Sequence, residues 1–326
     1  MSRLTLLLIL LLAALLAAAV LLGETPLTLD QIARAFHDAA SPPGEVLWAI
    51  RAPRAVTAAV VGAGLGLAGA AMQGLLRNPL ADPGVLGVSA ASGLGAALAI
   101  AFGLAATAGA IEVAALGGAL VAGVLVVGLA ARFREPETLI LFGVSLSAFA
   151  GALTALVFNL SPSPVSTTEV LSWLLGSAAN RDWADVGRTL LPMAVGALLC
   201  AYAGRGLTML TLGEETAAMS GLPMARLRTA AVAGAALLTG AAVAAAGVIG
   251  FVGLAAPHLV RRGVGDDPQA ALVPSAVAGA VLLVAADLLA RMLPTEQELK
   301  LGVVTALFGA PLFALVAWRA ARSWRT

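Results

Sequence analysis

Residues 250–262 read GFVGLAAPHLVRR, and the fold turns on how that stretch is taken. It follows another apolar run, 229–249. A bilayer crossing needs about 20 apolar residues, and hydropathy alone would allow the chain eight or nine spans as well as ten. Two helices leave 251–260 as a very short span and bring Arg261 and Arg262 back to the side the first run left. Pro257 has no backbone N–H and breaks helices, so the reading is of a helix broken at Pro257, with the arginine pair stopping at the surface. His258 has no cysteine, histidine or carboxylate near it at ligand spacing. It reads as a hydrogen-bonded histidine at a helix break and not as a metal ligand.

The rest of the chain places that stretch in a membrane. Of 326 residues, 60% are hydrophobic and 11% charged, where a soluble domain carries about 25% charged residues. Such a chain cannot cover a water-facing surface. The N-terminal apolar run 4–22 exceeds the roughly 7–15 residues of a signal-peptide core, and is taken as the first span. Further candidate spans are 55–72, 85–104, 113–131, 139–160, 190–204, 229–249, 251–260, 270–289 and 302–318. The expectation is an all-α, polytopic membrane protein of ten transmembrane helices, forming a single transmembrane domain over residues 1–326. The net charge of +1 implies no nucleic-acid partner, and the lone Cys200 permits no internal disulfide.

Charge supports ten spans. Both termini then share a side with Arg3, Arg77, Arg132, Arg134, Arg205, Arg226, Arg228, Arg261, Arg262, Arg319, Arg322 and Arg325. Arg34, Arg51, Arg54, Arg181, Arg188, Arg291 and Lys300 lie opposite. The richer side is expected to be cytoplasmic. Merging 229–249 with 251–260 would send Arg261, Arg262 and the basic C-terminal tail outside.

Glycine and alanine cluster within the spans, as in VGAGLGLAGAAMQG, where small residues let helix backbones approach closely. AGAAMQGLLRNPL (68–80) also echoes AGVIGFVGLAAPHL (246–259) with one gap. With five spans per half, such repeats are expected to be inverted.

Three features carry candidate function. GLLRNPLADPGVLGVS (74–89) holds Pro79 and Pro83, which push Asn78 and Asp82 away from helix. It is either a plain reversal or a loop folded back to line a pathway. TLGEETAAMSGLPMARLR (211–228) reads as an exposed helix of roughly two turns, capped by Thr211, with Glu214 and Glu215 in its first turn and Gly221 and Pro223 ending it. A helix so short is marginal alone and calls for a partner surface, protein or headgroup. Arg51, Arg54 and Arg291 stand at the outer ends of spans, either snorkelling to headgroups or meeting an acidic external partner. Asp287 is the one acid well inside a span and pairs locally with Arg291, four residues on.

The sole lysine, Lys300, lies in ELKLG, so no G-x-x-x-x-G-K-[ST] nucleotide loop exists. No Ser/His/Asp or H-E-x-x-H arrangement occurs either, and intramembrane titratable groups are few. Catalytic and metal-ligating residues are therefore assigned to none. A transporter built this way takes its energy from another subunit; the rival of another class is an ion-coupled secondary transporter.

RAPRAVTAAVVGAGLGLAGAAMQGLLRNPLADPGVLGVS, LTLGEETAAMSGLP and GVIGFVGLAAPHLVRR with ADLLAR and GVVTALFGAPLF beyond it resemble the permease subunits of binding-protein-dependent ABC importers for iron-siderophores, haem and cobalamin. The resemblance runs from about Arg51 to the C-terminus. It implies a homodimer, or a pair with a homologous permease, around a central pathway in the bacterial inner membrane, with both termini cytoplasmic. It also implies two cassette ATPase subunits, which hold the ATP and magnesium, and a periplasmic substrate-binding protein. No cofactor belongs to this chain. The implied cargo is an iron-siderophore or similar metal chelate, with cobalamin or haem as the alternative.

Residue by residue, the resemblance assigns ATPase coupling to Gly213, Glu214, Glu215, Thr216, Ala217, Met219, Gly221 and Leu222. It assigns binding-protein docking to Arg51, Arg54 and Arg291, and the cytoplasmic gate to Asn78, Leu80 and Thr138. The chain departs from the family's E-L-P-x-G at Glu298-Leu299-Lys300-Leu301-Gly302, and from G-V-S-A-G-A at Ala91 and Ser92.

Overall fold

The computed structural model describes residues 2–133, 136–161, 164–293 and 298–323; Arg134 and Arg325 of the charge count lie outside them. Among the described residues the chain is helical and carries no strand. The helices are α1 (Arg3–Leu21), α2 (Leu29–His37), α3 (Pro42–Glu45), α4 (Ala52–Leu76), α5 (Val88–Ala101), α6 (Ala110–Arg132), α7 (Pro136–Leu160), α8 (Pro164–Leu174), α9 (Trp183–Leu210), α10 (Glu214–Met219), α11 (Met224–Ala246), α12 (Val252–Val264), α13 (Pro268–Met292) and α14 (Leu301–Ser323). A π-helical turn, Val46–Arg51, joins α3 to α4 without a break.

Seven segments are long and apolar enough to cross a bilayer: α1, the continuous Pro42–Leu76, α6, α7, α9, α11 and α13. The expected spans 85–104 and 302–318 correspond to the shorter apolar stretches Val88–Ala101 of α5 and Leu301–Pro311 of α14, and 251–260 to α12, which is 13 residues long. The span expected at 190–204 is far longer than its apolar run. Asp182 and Asp185 form a capping box that starts α9 at Trp183, and the helix continues for 28 residues to Leu210.

The break that decides the topology falls where spans 229–249 and 251–260 were divided, but Pro257 is not its cause. Helix α11 ends at Gly247, whose φ of 71° suits a residue without a Cβ. The chain stays non-helical until Phe251, at φ 68°, opens α12. Pro257 does not break the helix; it sits inside α12. Its missing N–H leaves the Gly253 carbonyl without its usual helical donor. That carbonyl lies against Gly69 of α4, where any Cβ would overlap it.

Contacts sort the helix ends into two groups. At one end Leu4 touches Gly263, and Thr208 at the close of α9 bonds Asp267 at the start of α13. At the other, Arg51 donates to the Leu21 carbonyl at 2.8 Å, the Trp183 indole donates to the Trp48 carbonyl at 2.8 Å, and Arg181 pairs with Glu112. Helices α4, α6, α9 and α12 run one way, and α11 and α13 the other.

Helices α4 and α11 are the most buried. Around them pack α13, α9, α6 and α12, with α1 on α13 and α7 on α5. The seams depend on glycine: a Cβ on Gly62 would overlap the Gly279 carbonyl, and one on Gly279 would overlap that of Gly62. Where the chain is not helical, its polar groups are met by other loops. The Ser177 N–H donates to the Ala246 carbonyl at 2.8 Å, Leu301 N–H to Gly176 at 2.9 Å and Gly302 N–H to Leu175 at 3.0 Å. Irregular backbone survives at membrane depth only when buried and paired in this way.

Candidate functional site

Helix α10 projects between α9 and α11. Thr211 is not its cap: the Thr211 hydroxyl donates back to the Thr208 carbonyl at 2.7 Å, and the cap is Gly213 at φ 101°. The helix is six residues long, not two full turns. Gly221 at φ 83° turns the chain out of it. Ala217 is buried and Leu222 packs on the core, which anchors the inner side. Glu215, Thr216 and Met219 face outward with Leu212; Met219 is 82% exposed. Glu214 forms an ion pair with Arg228, a buried arginine in the second turn of α11. The short helix is thereby tied to the most buried helix of the bundle. Arg228 was not among the candidate residues, although it closes the stretch that contains them.

The 77–87 segment leaves α4 through Arg77 in the left-handed conformation, φ 47°. The Asn78 side chain accepts the Leu80 N–H at 2.9 Å and so makes a turn that Pro79 alone does not. Asn78 and Leu80 are exposed. Asp82 caps the 3₁₀ turn Pro83–Leu86 by accepting the Gly84 N–H at 2.6 Å. Burial pushes the Asp82 carboxyl above its ordinary range, opposed by that hydrogen bond. Helix α7 packs on this turn where Gly143 meets the Val85 carbonyl. Thr138, in the first turn of α7, is half-buried. A cavity of about 280 Å³ opens beside the loop, lined by Gln73, Arg77, Pro79, Thr211, Pro257 and Arg261. The 77–79 and 211 segments, each a candidate on separate grounds, thus share one cavity. The His258 imidazole makes no side-chain hydrogen bond to the described residues, so the expected bonded role is not seen.

The three outer arginines are not surface cations. Arg51, Arg54 and Arg291 are all buried. Arg54 is held by two carboxylates: it donates from Nη2 to Asp287 at 2.8 Å and from Nη1 to Glu298 at 3.0 Å. Arg291 stands 3.2 Å from the second Asp287 oxygen, the pair expected from their spacing. It also donates to the Ala19 carbonyl at 3.1 Å. Arg51 and Arg291 together take up carbonyls at the C-terminus of α1, where cations are favoured by the helix dipole. Neither snorkelling nor a free docking cation describes this geometry. The i,i+4 spacing showed Arg291 with Asp287; nothing local pointed to Arg54 or Glu298.

A model of the FecCD transport family matches residues 7–319. The chain belongs to the FecCD transport family. This FecCD permease is 40% identical over 287 residues to an uncharacterized ABC transporter permease protein, YvrB, of Bacillus subtilis, covering 86% of this chain and 81% of that one. It is 41% identical to the cobalamin import permease BtuC of Halobacterium salinarum, over 82% of this chain and 72% of the other. To the vitamin B12 import permease BtuC of Escherichia coli O157:H7 the identity is 38%, over 86% of each. A solved structure described as an inward-facing conformation of a metal-chelate type ABC transporter superposes with a TM-score of 0.86 at 31% identity, covering 97% of this chain and 98% of that one. The FecCD permease is thus a multi-pass membrane subunit of an ABC transporter.

Proposed function

We propose that this permease is the translocation subunit of an ATP-driven importer that moves an iron-siderophore or similar metal chelate from periplasm to cytoplasm by alternating access. It works with two cassette ATPases, a periplasmic binding protein and a second permease copy or homologue. It carries no nucleotide site, and performs no chemistry on its cargo. All ten helical segments span the inner membrane, with both termini cytoplasmic and the halves related as inverted repeats. The observation that carries the reading is α10: an exposed short helix, anchored by Ala217 and Leu222 and clamped by Glu214 to Arg228. It offers a cassette a surface through Glu215, Thr216 and Met219, and an ion pair through which to move α11. Gly213 and Gly221 set its two corners, while Asn78, Leu80 and Thr138 form the nearby gate.

The binding protein docks at the Arg51, Arg54 and Arg291 end. Because all three side chains are committed to internal acceptors, they act by holding the rim in shape and lending it positive potential. Glu298→Gln tests this. It removes the less buried partner of Arg54, so docking affinity should rise at low salt and converge with wild type at high salt. Unchanged affinity at every salt would leave the cluster with folding alone.

A cobalamin cargo is the second reading, favoured by the names of the BtuC relatives. The deciding experiment reconstitutes the permease with its cassette and binding protein in vesicles and compares vanadate-sensitive uptake of labelled cyanocobalamin and of ferric siderophores. Uptake of one cargo, lost without the cassette, is the expected result. Uptake without the cassette, driven by an ion gradient, would replace the reading with a secondary transporter.

A further inference from the structure

Helix α2 is nine residues long and divides into three strips around its axis. Gln31, Ile32 and Ala35 lie toward the protein, with Ala35 fully buried. Leu29, Ala33 and Phe36 form the next strip and are exposed, Leu29 by 85% and Phe36 by 60%. Asp30, Arg34 and His37 form the third, also exposed. A helix at the edge of a soluble protein has no use for the middle strip. A helix at the rim of a membrane protein does: protein on one side, acyl chains below, water above.

The helix is built to stay in place. Thr28 and Gln31 form a reciprocal capping box. The Trp48 indole donates to the Ala35 carbonyl at 3.0 Å, and its ring meets Phe36 edge-on with centroids 5.3 Å apart. Trp183 in turn donates to the Trp48 carbonyl. Two tryptophans and a phenylalanine therefore stand at one level, at the ends of α4 and α9, where indole rings favour the membrane–water boundary. Other apolar side chains at this end and along α1 are also exposed. Leu6, Leu7, Leu10 and Leu11 of α1 are exposed, as are Leu22 beyond its end and Ile50 beside it.

We infer that α2 lies in the plane of the bilayer interface at the Arg54 end, with Leu29, Ala33 and Phe36 in the acyl boundary and Asp30, Arg34 and His37 in water. It fixes the depth of α1 and α4, which it joins. The inference is independent of the cargo and of the coupling role.

The test uses the full chain carrying Cys200→Ala, in vesicles of phosphatidylethanolamine and phosphatidylglycerol. Spin labels are placed at Leu29→Cys, Ala33→Cys, Arg34→Cys and Phe36→Cys. Relaxation by oxygen, which concentrates in lipid, is compared with relaxation by a water-soluble nickel chelate. The oxygen-to-nickel ratio should be several-fold higher at 29, 33 and 36 than at 34. Ala33→Cys replaces a small exposed side chain, so it serves even where the larger substitutions fail to fold. Equal nickel access at 33 and 34 would overturn the inference. So would nickel access at 33 that disappears on adding the soluble binding protein, which would assign the strip to a protein partner.

Discussion

Arg54 and Asp287, 233 residues apart in sequence, meet at 2.8 Å with the carboxylate fully buried. Burying a charge is tolerable only when it is paired, and here one aspartate answers two arginines, Arg54 and Arg291. Removing the aspartate charge leaves Arg54 with Glu298 alone and Arg291 with no counter-charge, only the Ala19 carbonyl. Asp287→Asn should therefore destabilise the bundle by about 3–5 kcal/mol, the cost of breaking a buried pair. Chemical unfolding in detergent micelles measures it, and an unchanged midpoint would show the cluster to be solvated.

The Gly62–Gly279 contact leads to a second expectation. Gly62→Ala places a methyl on a backbone carbonyl, which cannot rotate away as a side chain would. Overpacking costs about 1–3 kcal/mol, and the larger part of that range is expected here. Gly117→Ala is the control, since a Cβ there meets nothing within 4 Å. Equal unfolding midpoints for the two variants would contradict the close seam.

At α10, Glu214→Gln removes the charge that holds Arg228, and Gly221→Ala forces a Cβ onto φ 83°. Both should insert and fold. Both should raise the ATP hydrolysed per cargo molecule imported, measured in the same vesicles with the cassette present. Normal transport stoichiometry in both variants would remove the coupling role.

Asp82 gives a pH signature. Its carboxyl titrates higher in the folded chain than in the unfolded one because burial disfavours the charge. The folded state then binds more protons, so this group's stabilising contribution is present below the ordinary carboxylate value and is lost as pH rises through the raised one. Asp82→Asn keeps an acceptor for the Gly84 N–H and removes the charge. It should be more stable than wild type at neutral pH, with the difference shrinking as pH falls into the carboxylate range. A variant less stable at neutral pH would mean that the ionised form is the favoured one.

Hydropathy located the seven long apolar segments, because a run of apolar residues needs no partner to be recognised. It failed at their edges. The capping box at Asp182 that lengthens α9 is polar, and the end of α11 is set by Gly247 where Pro257 had seemed the stronger breaker. The short helix itself was legible, with Glu214 and Glu215 in its first turn and Gly221 after it, because the stretch between two spans has few alternatives. Burial of Arg51 and Arg54 was not, since their acceptors lie on α1, on α13 and at Glu298, remote in sequence. The echo between 68–80 and 246–259 has a spatial counterpart, though not one that tests a repeat. Gly69 of the first stretch packs on Gly253 of the second, and Gln73 reaches the Leu254 carbonyl at 3.5 Å.

Helix α11 presents mainly methyl groups and hydrogens to its neighbours, from Ala230 through Ala246 with Gly234 and Gly240 among them. Its glycines admit neighbours, Cys200 at Gly234 and Ala119 at Gly240, while Leu238 fills the gap at Gly196, so the rod is keyed to α9 and α6. Any displacement of α11 would therefore have to carry α9 and α6 with it or unseat those side chains from their glycine notches.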